Sequence, residues 1–457
     1  MAKKQKTAFV CSNCGEDYPK WLGKCENCGE WDSLTEFRIG SKTTQRSNVS
    51  FRQQPPKITS LQTHESETNS RITSSMNGVD PVLGGGLVMG SFVLLAGDPG
   101  IGKSTLVLQL MSCWSESNNV FYVSGEESVQ QVSLRAKRLG VEQSPIQVIT
   151  ETNMENLLEI FSEHKADIVV IDSIQTMYTD SVESAPGSVA QIRECGAMIL
   201  RYAKTENVSV VIVGHVTKEG TIAGPRVLEH MVDTVLQFEG DGRYNYRIVR
   251  SVKNRFGPAG EIALFSMTDS GLKENSSMSE FLLMNREEPI PGTAIAPVLE
   301  GTRVLVLEIQ ALVNNSHFGI PQRVASGINP KKLSLLIAVL EKYDGLVLGD
   351  HDIFLNIAGG LSVGEPAADI AIIAALLSSF HNKPLRKDLA FIGELGLGGE
   401  IRPVNNMSAR LKELIKMGFK ECVVARPHRK SDWVDQCGDS ISLIMCSGVT
   451  DIRDVIF

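Results

Sequence analysis

The 457-residue sequence predicts an α/β protein with a P-loop core, a small metal knuckle ahead of it and a second α/β domain behind it. Three observations carry that expectation. Two Cys-x-x-Cys pairs fall within the first 28 residues. Short β-branched runs alternate with helical stretches from about Arg71 to Leu272, the pattern that builds a mostly parallel sheet covered by helices. Gly97 to Ser104 fits G-x-x-x-x-G-K-[ST] without a mismatch. A chain of this length needs more than one core. With 42% hydrophobic and 21% charged residues it has globular composition, which excludes a wholly disordered chain. Its longest apolar runs are strand-sized, well short of the roughly 20 residues a membrane span requires, so no transmembrane helix is expected. The basic start, Met1 to Lys6, leads into cysteines instead of an apolar signal segment, and a cytoplasmic location follows as the expectation. A formal charge of -8 excludes attraction of the whole surface to nucleic acid and leaves only local basic grooves or loops for it.

Residues 1–38 are assigned to a four-cysteine zinc knuckle, 39–70 to a flexible polar linker, 71–275 to the ATPase domain and 276–457 to the C-terminal domain. In the knuckle, Cys11-Ser-Asn-Cys14 and Cys25-Glu-Asn-Cys28 are each followed by a glycine, Gly15 or Gly29, which permits a tight turn. Four thiolates complete a tetrahedral zinc shell and leave no open position for a catalytic water, so the expected role is structural, folding a segment too small to fold alone. Dithiol redox chemistry is the competing reading. The other five of nine cysteines are scattered, unlike a secreted disulfide framework. Trp21 and Trp31 are expected to pack the knuckle. The linker carries Arg38, Lys42, Arg46, Arg52 and Lys57 with no acidic residue between them; a solvated tether is expected, a loose electrostatic DNA contact being the alternative.

The ATPase domain shows strand candidates at Phe92–Ala96, Asn119–Val123, Ile168–Ile171, Val208–Val213 and Tyr244–Val252. Its P-loop, Gly97-Asp98-Pro99-Gly100-Ile101-Gly102-Lys103-Ser104-Thr105, follows a strand and precedes Leu106, Leu110 and Trp114 at helical spacing. Gly100 and Gly102 let backbone N–H groups close around ATP phosphates at a helix N-terminus. Lys103 is expected at the β- and γ-phosphates and the Ser104 hydroxyl on magnesium. Asp172 closes the apolar run Ile168–Ile171 at the C-terminal edge of a buried strand and is assigned to the magnesium shell; capping of the next turn is the alternative. Glu126 or Glu127 is expected to activate the attacking water, Glu126 being the first choice, unless the pair simply opens the next helix. His215 is a candidate γ-phosphate sensor that passes its state to the loop Glu219 to Pro225, or a structural histidine at a strand end. From Arg243 to Arg255 the chain is cationic with no acidic residue, and in an extended strand Arg247, Lys253 and Arg255 share one face. That row suits fingers reaching a neighbouring triphosphate, the lining of a DNA channel, or a solvated face.

A four-cysteine knuckle, a P-loop core and Lys253-Asn254-Arg255-Phe256-Gly257, in that order, resemble the RadA/Sms family of bacterial DNA repair and recombination ATPases, whose own signature is K-N-R-F-G. The resemblance covers nearly the whole chain. It implies a RecA-like core related to the replicative ring helicases, a homohexameric ring with ATP at subunit interfaces, Lys253 and Arg255 as catalytic fingers across the interface, and a RecA-type recombinase as partner. The C-terminal segment resembles a Lon protease domain, which raises an ATP-dependent protease as a rival function. Where that family has the serine of D-G-P-S-A-G, this chain reads Gly364-Glu365-Pro366-Ala367-Ala368-Asp369; where it has the lysine of G-G-L-K-E-K, Ser408 stands in Asn405-Asn406-Met407-Ser408-Ala409-Arg410. Acyl-enzyme chemistry has no nucleophile or base there, and Ser362 lies nearby without a matching motif. For this domain the resemblance implies support of the ring and binding of duplex DNA, with Lys383, Arg386 and Lys387, and Arg426, Arg429 and Lys430, as candidate contacts; solvated surface is the alternative for each. The function expected is a DNA-dependent ATPase of homologous recombination and repair that translocates on single-stranded DNA and drives branch migration on branched DNA. A DNA-responsive switch that remodels recombinase filaments is the second reading.

Overall fold

The computed structural model describes residues 6–11, 17, 18, 20–26, 29, 31, 34–39, 71–215, 225–240, 246–275, 279, 283, 288–316, 319, 321–358, 361–427, 433, 434 and 440–457. They fall into two compact units, Met1–Glu274 and Asn275–Phe457. Among the described residues no helix is long and apolar enough to cross a membrane.

The first unit begins with β1 (Lys6–Cys11), β2 (Asp17–Tyr18) and β3 (Leu34–Ile39), an antiparallel sheet in the order β2-β1-β3. Its small core is Cys25 and Leu34 with Tyr18 and Leu22 packed against them. Trp21 and Trp31 do not join it. They are 52% and 71% exposed. The Lys24 ammonium lies 5.5 Å from the centroid of the Trp31 ring, a cation–π distance. The linker cations Lys42, Arg46, Arg52 and Lys57 lie outside the described residues.

A short antiparallel pair, β4 (Arg71–Ile72) and β5 (Leu87–Val88), and α1 (Val79–Val82) lead into a nine-stranded sheet. Its strands are β6 (Phe92–Gly97), β7 (Val120–Ser124), β8 (Gln147–Ile149), β9 (Ile168–Asp172), β10 (Ser209–His215), β11 (Thr234–Glu239), β12 (Tyr246–Asn254), β13 (Ile262–Thr268) and β14 (Gly271–Glu274), in the order β14-β13-β12-β11-β6-β10-β9-β7-β8. β6 to β11 are mutually parallel. Parallel neighbours need crossovers, and α2 (Lys103–Trp114), α3 (Val129–Leu139), α4 (Met154–His164), α5 (Val189–Glu206) and α6 (Pro225–Glu229) occupy them. The central strands are buried on both faces: Val93 and Leu95 join the core that holds Leu106 and Met111 of α2, while Phe92, Leu94 and Ala96 join the core of Leu157 and Ile199 from α4 and α5. That double burial is why they read as unbroken apolar runs.

β12 to β14 extend the sheet in antiparallel fashion. Four residues of the polar stretch Thr268–Ser279 are therefore the edge strand β14. The register pairs His215 with Gly97 and Asp172 with Ser124, so the C-terminal ends of β6, β7, β9 and β10 meet at one edge. A parallel sheet presents its ligand there. With β10 between the loop strand β6 and β9, this is a RecA-like core.

The second unit has a Lon-protease-like fold. β15 (Thr293–Glu300), β16 (Arg303–Asn315), β17 (Arg323–Ser326) and β18 (His351–Ile357) form a sheet in the order β15-β16-β18-β17. β19 (Leu389–Ile392), β22 (Glu421–Ala425) and β23 (Ser442–Cys446) form a parallel sheet, and β20 (Glu394–Leu395) pairs with β21 (Ile401–Arg402). The helix Asp369–Phe380 is buried along almost its whole length, and Leu411 and Leu414 of the helix Met407–Lys416 close a core with Ile295, Val306 and Val424.

Candidate active site

The P-loop is shaped by close approach. A Cβ on Gly97 would meet the Phe238 carbonyl oxygen at 2.5 Å, and Gly102 has a φ of +117 that a side chain rarely adopts. α2 then begins at Lys103 with no side chain capping it, so its first N–H groups face the loop, as an anion requires. From outside, Arg247 of β12 donates its Nε to the Ile101 carbonyl at 3.1 Å and holds the loop against the sheet.

Above the loop opens a cavity of about 580 Å³ whose walls include Lys103, Ser104, Glu126, Asp172 and His215. Lys103 is only 4% exposed. Its ammonium donates to the carbonyls of Gly97 at 2.8 Å and Asp98 at 2.9 Å and meets His215 Nδ1 at 3.1 Å. Burial lowers its pKa, opposed by the charges of Asp172, Asp98 and Glu126. An ammonium has only protons to give, so Nδ1 accepts and the ring proton sits on Nε2. Nε2 lies 3.5 Å from Glu126 Oε1, and that oxygen accepts from the Ser173 hydroxyl at 2.7 Å. A chain of contacts thus runs from Lys103 through His215 to Glu126.

Glu127 is engaged elsewhere. Its carboxylate pairs with Arg135, and its backbone N–H and carbonyl are both tied to the Ser124 hydroxyl. Neither glutamate opens α3, whose N-cap is Ser128 in a reciprocal box with Gln131. Asp172 ends β9, buried, and accepts a 2.7 Å hydrogen bond from the Tyr122 hydroxyl through Oδ2. It caps nothing: the short helix that follows has Ser173 at its N-cap and no side-chain cap. Ser104 and Asp172 offer hard oxygen donors beside the phosphate cradle, the chemistry Mg2+ selects.

The chain is 47% identical over 427 residues to the DNA repair protein RadA of Bacillus subtilis, which covers 92% of this chain and 93% of that protein. To the protein of the same name from Pseudomonas aeruginosa it is 45% identical over 421 residues, 92% of this chain and 93% of that one; to that of Chlamydia muridarum, 45% over 457 residues, 99% and 98%. The chain belongs to the RadA family. Family models match in three places: residues 60–221 as an AAA domain, 9–36 as a rubredoxin metal binding domain and 336–428 as subunit ChlI of Mg-chelatase.

Two RadA-like features stand apart from the cavity. Lys253 and Arg255 are not brought to the loop of their own chain. The expected single row with Arg247 is also broken, because β12 carries a bulge: Lys253 pairs with Val235 and Ser251 with Leu236, which skips Val252. Val235 and Leu236 belong to opposite core layers, so Lys253 faces away from the side that Arg247 shares with Val249. Lys253 donates to the carbonyls of Glu229 at 2.6 Å and Val232 at 2.8 Å, and its pKa is lowered by burial and then by Arg255. The Arg255 side chain is 58% exposed and lies 3.3 Å from Asp233. Of the knuckle cysteines, Cys11 ends β1, Cys25 is buried with its Sγ 3.4 Å from the Tyr18 hydroxyl, and Cys14 and Cys28 lie outside the described residues, as do Arg429, Lys430 and all of the loop Glu219 to Pro225 except Pro225 itself.

In the second unit, the two stretches that stand where a Lon protease has its serine and lysine motifs do meet, but through a different pair. Arg410, fully buried, forms a two-pronged ion pair with Glu365, one arm at 3.0 Å, and donates to the carbonyls of Pro297 at 2.7 Å and Asn405 at 3.0 Å. Glu365 also accepts the Leu299 N–H at 2.5 Å. Ala367 is fully buried between them in sequence. Among the basic candidates, Arg386 is paired with Glu421 at 2.7 Å and Lys383 lies over the Phe457 ring.

Sequence reasoning missed Tyr122 and Ser173, and it named Arg247 for the cationic row and not for its hold on the P-loop. Ser173 had a local signal, its place directly after Asp172. Tyr122 and the loop contact of Arg247 had none, since their partners lie 50 and 146 residues away.

Proposed function

We propose that this RadA-family chain hydrolyses ATP to move on single-stranded DNA and drives branch migration of recombination intermediates beside a RecA-type recombinase. The contact chain from Lys103 through His215 to Glu126 carries the reading, because it joins the phosphate end of the cavity to a carboxylate held for work on water. Residues of the loop, Gly97 to Thr105, wrap the phosphates, and Lys103 exchanges its carbonyl partners for the β- and γ-oxygens. Glu126, oriented by Ser173, takes the proton of the attacking water. His215 reports the γ-phosphate, since its Nδ1 partner moves when phosphate arrives. Ser104 and Asp172 would hold Mg2+, which would supply positive charge against the phosphate oxygens.

Lys253 and Arg255, remote from their own cavity, act on that of a neighbour in a homohexamer. The exposed guanidinium of Arg255 supports this reading. The four cysteines hold zinc, and the second unit supports the ring, the Glu365–Arg410 pair tying together the two stretches that lack catalytic side chains. Steady-state ATP hydrolysis with and without single-stranded DNA, with Lys103→Ala as blank, tests the proposal. Stimulation by DNA together with directional strand displacement supports it. Stimulation without displacement replaces the motor with a filament-remodelling switch, and a rate indifferent to DNA removes both.

A further inference from the structure

We infer that Tyr122 is a positioning residue that aims the Asp172 carboxylate at the divalent cation; the inference rests on reading Asp172 as a magnesium ligand. On the parallel pair β7 and β9, Tyr122 stands opposite Val170 and Ser124 opposite Asp172. Tyr122 and Asp172 therefore point to the same face, one step apart along the strands, and a phenol is long enough to cross that diagonal. The hydroxyl reaches Asp172 Oδ2 at 2.7 Å. Among the described residues it is the one hydrogen-bond donor given to this carboxylate, Lys103 spending its protons on Gly97, Asp98 and His215.

The choice of a phenol has consequences. Tyr122 is 1% exposed, packed in the core with Val170, so its ring cannot swing and its hydroxyl has one place to go. An ordinary phenol is neutral near neutral pH, so its hydroxyl has a proton to donate. A lysine or arginine in its place would neutralise the carboxylate. The neutral hydroxyl engages Oδ2 without bringing a compensating charge, and among the described residues no donor is given to Oδ1. Outer partners of this kind set ligand orientation and affinity at metal sites.

The test is direct cation binding by the full chain: Mn2+ titrated against the protein with saturating ADP, free Mn2+ being read by electron paramagnetic resonance, and ADP affinity measured separately in EDTA. Tyr122→Phe is expected to weaken Mn2+ by about tenfold, to leave ADP affinity in EDTA unchanged, and to raise the Mg2+ concentration for half-maximal hydrolysis while kcat at saturating Mg2+ is retained. Unchanged Mn2+ affinity, or a fall in kcat that added Mg2+ does not recover, overturns the inference. Asp172→Asn separates the two layers: if it leaves Mn2+ affinity intact, the ligand reading itself fails, whereas loss in Asp172→Asn without loss in Tyr122→Phe removes the tyrosine alone. Should the single variant melt below the assay temperature, Tyr122→Phe/Asp172→Asn leaves no carboxylate without a donor and is compared with Asp172→Asn. Equal Mn2+ affinity supports the inference, and a further loss overturns it.

Discussion

Two clusters of charge, one in each unit, are built from similar groups and end in opposite states. At the P-loop, Lys103, Glu126 and Asp172 crowd around a cavity, yet Lys103 pairs with neither carboxylate; carbonyls, His215, Ser173 and Tyr122 hold the three apart. In the second unit, Glu365 and Arg410 close on each other, and the remaining donors and acceptors are taken by Pro297, Asn405 and Leu299. Charges held apart by neutral partners keep affinity for something that arrives from solution. Charges that close on one another hold the chain in place and have nothing left to offer.

The largest effect is expected where an open cluster loses its cation. Lys103→Ala should reduce ATP hydrolysis by at least about 10²–10³-fold, the range for loss of one transition-state donor, measured as phosphate release with folding checked by circular dichroism. Turnover near the wild-type rate would place the active cavity elsewhere. The closed cluster should respond in stability instead. Arg410→Ala leaves a largely buried carboxylate without its partner and should lower the stability of the second unit by about 3 kcal/mol, visible as an earlier calorimetric transition. Glu365→Leu/Arg410→Met should recover most of that loss, since a closed pair replaced by apolar groups of similar size leaves no orphan. If the double variant is as damaged as the single one, the pair does more than hold the fold.

The open cluster was the legible one. A nine-residue loop is contiguous, and Asp172 is marked by the apolar strand it terminates, so both can be read without a third dimension. Sequence spacing could not choose between Glu126 and Glu127, because adjacent residues share every local signal. Arg135, eight residues on, engages Glu127, and Ser173, just past the end of β9, engages Glu126. Nor could alternation foresee the bulge at Val252, which a single unpaired residue creates and which turns Lys253 to the opposite face from Arg247. Trp21 and Trp31 were misplaced for a related reason: apolarity argues for burial only where there is an interior to enter, and among the described residues of the knuckle that core gathers Tyr18, Leu22, Cys25 and Leu34. The closed cluster was half legible: resemblance to a Lon protease marks both stretches, but nothing in it marks Glu365 and Arg410, 45 residues apart, as partners.

Arg255 sharpens the comparison, being a charge open to solvent with no cavity of its own. If it completes a neighbour's site, mixtures of wild-type and Arg255→Ala protein should hydrolyse ATP more slowly than the average of the two separately. Rates that simply average would confine Arg255 to its own subunit and its contact with Asp233.

Asp369 lies between the two extremes and gives the smallest effect. It is buried, and Lys332 reaches it at 2.6 Å, but that lysine is partly in solvent and the pair does not close as Glu365 and Arg410 do. Burial therefore outweighs the lysine and raises the Asp369 pKa from 3.8 to about 6. Between those values the folded chain keeps a proton that the unfolded chain has lost, so the stabilisation is complete below about pH 4 and is lost as pH rises through about 6, a change of about 2–3 kcal/mol. Asp369→Asn removes that titration and no other. Urea unfolding of the two proteins from pH 4 to 7 should show wild type losing ground to the variant across this window. Parallel pH dependence would mean that Lys332 compensates the buried charge fully, and would move Asp369 to the closed side of the comparison.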